Sequence, residues 1–243
     1  MHGVPMRVTT ILPILCCLLL AGMLFRPEDA PAAPSAARAC ATASECAAPQ
    51  QAAPKLFASY TFGLPRAQAM KLPGAAPGKG DFAGDVLLPE ADFAGLPWSV
   101  RLEFRRDALV RVSLMEAYTG KRLEAVNNSL RNMGFEMLAM LADGVRLDFV
   151  AALKVDGPQG LQGRIEKLHK KENPDRISYA WFDTREMSRE TKVTARNLSE
   201  LLQVVAAETR EAEVTLLGDG KGGVANILVD FSLPVLELQT YNH

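Results

Sequence analysis

The sequence predicts an α+β fold, an antiparallel sheet with helices packed on one face, and three observations carry this. Residues 97–105 and 109–115 alternate apolar and polar side chains with a period of two. Turn signals, Arg106-Asp107 and Asp143-Gly144, stand between such runs. Residues 121–132 and 197–209 instead place apolar residues at helical spacing.

The chain opens with Arg7 and an apolar run over 11–25, ILPILCCLLLAGMLF, which stops at Arg26-Pro27-Glu28-Asp29. A basic start and a short apolar core fit a secretory signal. A spanning helix wants about 20 apolar residues. Residues 1–32 are therefore read as a signal cleaved after Ala32 or as an uncleaved N-terminal anchor, and both readings stay open. No cysteine has lipobox surroundings. The expected location is the periplasm or another extracytoplasmic space of a bacterium.

Residues 30–55 contain 12 Ala and 4 Pro and no large aliphatic side chain. Such a stretch buries too little surface to offset its chain entropy, so 33–55 is expected to be a flexible tether. Cys40 and Cys46 fall within it. In an oxidising compartment they can close a small disulfide loop, or they remain unpaired.

Residues 56–243 form the expected globular region. Pro65–Leu72 reads as a short helix and 73–80 as a loop. In 97–105, Trp98, Val100, Leu102 and Phe104 share one face; Val110, Val112 and Leu114 do so in 109–115. The pair is an antiparallel hairpin with one polar face. A helix follows over 121–132, with Leu123, Val126 and Leu130 inward and Gly134 as its stop. Strands are expected at 135–141 and 145–152, the latter with a helix as rival. Residues 157–171 read as a basic helical linker between halves 56–156 and 172–243. Strands then follow at 177–183 and, more weakly, 192–195. Asn197 and Glu200 form a capping box, and Leu198, Leu201, Leu202 and Val205 make the next helical stripe. Strands at 213–217 and 224–231 flank the turn 218–223. The order strand-strand-helix-strand-strand thus occurs twice, consistent with a tandem ββαββ duplication.

Phe62-Gly63-Leu64-Pro65-Arg66-Ala67-Gln68-Ala69 ahead of Gly95-Leu96-Pro97-Trp98 and a hairpin resembles small two-layer α+β modules of the bacterial envelope. Such modules occur in outer-membrane-assembly accessory lipoproteins and β-lactamase-inhibitor proteins. The resemblance implies a binding protein rather than an enzyme. The chain departs from it in lacking a lipobox and a clear helix pair.

Composition narrows the chemistry. The 27 Lys+Arg and 28 Asp+Glu leave a net charge of −1, which removes the bulk-charge argument for nucleic acid. All four Cys lie within the first 46 residues, and beyond His2 only His169 and His243 remain. This argues against a Cys nucleophile, a zinc site and a Ser-His-Asp triad. Gly218–Gly223 is followed by a strand rather than a helix, so it reads as a turn and not a phosphate cradle. His169, among Lys and Glu, reads as a solvated surface residue. Asp81, Asp85, Glu90 and Asp92 read as a solvated acidic edge. Tyr179 and Trp181 read as core.

No catalytic, cofactor or metal residue is therefore expected. Arg101, Arg105 and Arg111 on the hairpin's polar face are the candidate contacts for a partner or an anion, with cross-strand pairing to Glu103 as the structural alternative. The expected function is an exported, non-enzymatic binding domain of the envelope. Its partner would be an envelope protein or a small ligand, with no nucleic acid and membrane contact only through an uncleaved N-terminal segment. The alternative is a carboxylate-dependent hydrolase acting on an envelope glycan.

Overall fold

The computed structural model describes residues 53–142, 144–169 and 175–241. The signal and tether readings over 1–52, and Cys40 and Cys46, lie outside the described residues, as do the last residues of the basic linker.

The chain order is β1 (Lys55–Phe57), β2 (Tyr60–Thr61), α1 (Arg66–Ala69), β3 (Ala76–Pro77), β4 (Val86–Phe93), β5 (Leu96–Arg105) and β6 (Ala108–Ala117). Then come α2 (Gly120–Asn132), β7 (Phe135–Ala142), β8 (Val145–Asp148), α3 (Phe149–His169), β9 (Arg176–Asp183), α4 (Arg189–Thr194) and α5 (Leu198–Val204). β10 (Glu211–Gly218), β11 (Val224–Ser232) and α6 (Pro234–Tyr241) complete it. Nine strands form one sheet in the order β3-β4-β5-β6-β11-β10-β9-β7-β8, with every pair antiparallel. The fold is α+β, as the alternating runs predict.

Period-two patterning fixes which face is buried. One row of in-register residues runs Leu88, Val100, Leu114, Val229, Val214, Tyr179, Met140 and Leu147 across eight strands. All eight are buried. This is the apolar face. Helix α2 lies on it, with the Arg122 and Arg131 guanidiniums standing over Trp98 and Trp181. Thr119 caps its first turn by accepting from the Arg122 amide at 3.0 Å. Phe57 of the β1–β2 hairpin stacks on Phe231 of the same face, centroids 4.8 Å apart.

The helices are not confined to that face. Leu198 and Leu201 of α5 pack with Ala139 and Phe182, which alternate with Met140 and Trp181 and so point the other way. Helix α3 serves both sides. Val150 packs with the α5 cluster, whereas His169 reaches Tyr179 on the apolar face. The bend between them is Gly157 (φ 66°, ψ −176°), followed by Pro158. A Gly there supplies the left-handed φ, and Pro then suits the first turn of the second helical piece.

Two strand expectations are corrected, and one strand is added. Residues 192–195 are not a strand: Ser188 accepts from the Thr191 amide at 3.0 Å and starts a helix, and Val193 is left 64% exposed. Four residues with one large apolar side chain have no face to bury. The second half therefore lacks one strand of the proposed duplicated unit. The strand from Val145 stops at Asp148, because its carboxylate caps α3 by accepting from the Ala151 amide at 3.0 Å. Strand β4, not anticipated, escapes period-two reading because its register shifts between Leu88 and Ala91, around Pro89-Glu90.

The segments 56–156 and 172–243 share this sheet. β11 is inserted between β6 and β10, and β9 pairs with β7. Lys55, placed at the tether's end, opens β1.

Candidate functional site

The sheet's second face is polar, and register gives its layout. One row reads Arg101, Ser113, Asp230, Glu213, Ala180, Ala139 and Asp148 from β5 to β8. A neighbouring row reads Glu103, Arg111, Ser232, Glu211, Phe182 and Glu136. On the other side the row is Ser99, Met115, Leu228, Thr215, Ser178, Leu141 and Arg146. Beyond it stand Ala117, Asn226, Leu217 and Arg176.

Half of this face is occupied by the protein itself. Helix α6 crosses it, and Arg111 donates to Glu237 at 3.0 Å. Arg101 donates to Ser113 at 3.3 Å, and Ser113 donates to the buried Asp230 carboxylate. Burial pushes the Asp230 carboxyl above its usual range, while the Ser113 hydrogen bond and Arg111 pull it down. Asp85 is raised for the same first reason, against the pull of Arg101, 3.8 Å away. Glu211 is displaced most. Burial, reinforced by Glu213, pushes its carboxyl up to about 7, and Arg111 and Arg146 counter this in part. The Glu211 side chain makes no hydrogen bond or ion pair among the described residues.

Of the predicted arginines, Arg101 and Arg111 share this face, and each meets carboxylates: Arg101 also approaches Glu103 at 3.9 Å. Arg105 lies on the same face by alternation, next to the Arg106-Asp107 turn, where both residues have positive φ. Asp81, Glu90 and Asp92 do not gather with Asp85; no group of three or more possible metal ligands occurs among the described residues.

The other half of the face is open. Met115 is 45% and Leu141 38% exposed, with Leu228 and Leu217 half-buried between them. Arg176 spans the floor. Its Nε donates to Ser178 at 3.2 Å and its Nη2 to Glu213 at 3.2 Å. Ser178 and Thr215 bond to each other at 2.8 Å beneath it. A shallow hollow lined by Leu141, Gly144, Asp175 and Arg176 ends this half.

Two other readings are settled here. In the 218–223 turn the Asp219 carboxylate accepts from the Lys221 and Gly223 amides, at 2.7 and 2.9 Å. An anion already sits where a phosphate would bind. His169 is not a solvated residue: its Nε2 lies 2.8 Å from the Tyr179 hydroxyl, and burial lowers its pKa. The linker reading misplaced it because Ile165 and Leu168, buried on the same helix, turn that side inward.

Sequence reasoning missed Glu211, Asp230, Glu237, Met115, Leu141, Arg146 and Arg176. A signal existed for the first: Glu211, Glu213 and Thr215 alternate with Ala212, Val214 and Leu216. No protein-family model matches this chain, and neither a curated protein nor a solved structure matches it.

Proposed function

We propose that this chain is an exported binding domain of the bacterial envelope, non-enzymatic, directed out of the cytosol by its N-terminal segment. The observation that carries the binding reading is the open half of the polar face. Its hollow is shallow, it combines aliphatic side chains with guanidiniums, and the protein's own helices leave it uncovered while burying the other half. A shallow mixed patch suits a macromolecular partner, whereas small ligands favour deep concave sites. The envelope reading rests on the apolar run over 11–25, the Ala/Pro stretch after it and the resemblance to envelope modules.

Photo-crosslinking from positions 115 and 141 in the native host tests the reading. A defined product from both positions, absent with a crosslinker at Val155 in α3, supports it. Products indistinguishable from that control overturn it. A fusion of residues 1–55 to a reporter active only outside the cytosol tests export, and an inactive reporter removes that part of the proposal.

The hydrolase alternative has one observation in its favour. Glu211, its carboxyl pushed up to about 7, stands two residues from Glu213 on the same face, an acid beside a carboxylate. Glu213, however, is held by Arg176. Release of soluble glycan fragments from envelope preparations by the wild-type chain and not by Glu211→Gln would favour this alternative.

A further inference from the structure

We propose that the open half of the polar face docks an acidic, aliphatic-rich segment of a partner protein. The inference rests on the reading of that half as a binding surface and adds the chemistry of what binds. The surface has an order. Met115, Leu228 and Leu217 form its apolar end, on the adjacent strands β6, β11 and β10. Leu141 lies further along, between two cations. Arg146 is its cross-strand partner on β8, and Arg176 is on the neighbouring strand β9. Five strand spacings, about 24 Å, separate Met115 from Arg146.

The two cations differ in a way that fits one occupant. Arg176 is locked to the floor by Glu213 and Ser178, yet its side chain is 55% exposed. It therefore presents its remaining N–H groups outward in a fixed orientation, with little side-chain entropy left to lose. Arg146 is exposed and has no carboxylate within ion-pair distance among the described residues. A carboxylate reaching this end gains a fixed donor and an exposed one, and the planar guanidinium matches it two-pronged. A basic segment would face both cations and lose on charge. A membrane surface suits the patch less well. Leu217 and Leu228 are half-buried in the floor, which leaves little apolar side chain to enter a bilayer.

Selection from a random peptide library on the immobilised full chain tests this, with Met115→Asp and Leu141→Asp chains as counter-screens. Expected are peptides that require Met115 or Leu141 and carry Asp or Glu beside aliphatic residues. A synthetic representative should bind Arg146→Glu about tenfold more weakly, and replacing its acid with Lys should restore binding to that variant. Peptides that require Met115 but show no acidic bias overturn the acidic partner and leave the binding surface standing. A selection yielding nothing sensitive to either substitution overturns both. Arg146-dependent binding to phosphatidylglycerol vesicles, without peptide selection, overturns the proposal in favour of a lipid surface.

Discussion

Asp148 and Leu198 are joined by one hydrogen bond that ties two helices to the sheet edge: the Leu198 amide donates to Asp148 Oδ2 at 2.7 Å. The other carboxylate oxygen accepts from Ala151 in the first turn of α3. A single side chain thus serves amides at two helix starts, one beside it and the other 50 residues along the sequence. Both ends otherwise leave amides without intrahelical partners. Asp148→Ala is expected to lower stability by about 2–3 kcal/mol, above a single cap. Asp148→Asn should cost less, since it keeps one acceptor. Denaturant midpoints of the two variants check this; equal, small losses would show that neither bond matters.

Leu130 and Leu201 test whether the faces share one cooperative unit. Both are buried, the first on α2 and the second on α5, on opposite sides of the sheet. Replacing either with Ala should cost about 2–5 kcal/mol by loss of buried methyls and a residual cavity. Leu202, only partly buried, should cost less. Because one sheet carries both helices, each variant should melt in one calorimetric transition. Two transitions, each moved by one substitution, would establish separate units.

Glu211 gives a pH signature whose sign is determined. Its carboxyl is pushed up to about 7 in the folded chain from an ordinary value of 4.5. Between these values the folded state holds a proton that the unfolded state has released. Stability contributed by this group therefore falls as pH rises through that window, by at most about 3 kcal/mol. Glu211→Gln removes the term. Its midpoint relative to wild type should climb from pH 4.5 to pH 7 and level off above. A difference independent of pH would disprove the burial of an ionisable group there.

The start of the folded unit is set by two residues. Leu56 is fully buried and Phe57 is 5% exposed, and the Pro54 carbonyl accepts from the Phe62 amide at 2.8 Å. A chain beginning at Ala53 should match the longer protein in thermal midpoint. One beginning at Ala58 loses both side chains from the apolar face, worth about 3–6 kcal/mol together. A melting comparison of the three chains decides it, and an unchanged midpoint on starting at Ala58 would remove β1 from the fold.

Much of this was legible in the chain because it is local. The β5–β6 hairpin follows from alternation and a two-residue turn. Helix α2 follows from Leu123, Val126 and Leu130. Asn197 has the residue type and position of a cap, and it accepts from the Glu200 amide at 2.8 Å. Glu200 does not return the bond to Asn197, however; it accepts from the Arg196 amide instead. Residues 192–195 misled because a weak β pattern carries no information about whether a neighbour exists to pair with it.

Sequence alone determined the class of fold, the polar and apolar faces of most strands, and the scarcity of thiols and imidazoles from residue 53 onward. These depend on residue type and on spacings of two to four positions. Only the tertiary structure decided strand order, and with it which polar residues became neighbours. Met115 and Leu228, or Leu141 and Ser178, meet through backbone pairing between distant segments, and alternation is blind to which strand lies alongside. The same pairing puts Glu211 in one row with Arg111, where its surroundings push the carboxyl up. Nothing in the residues around position 211 encodes that, because burial and charge are set by what the sheet brings to it from elsewhere in the chain.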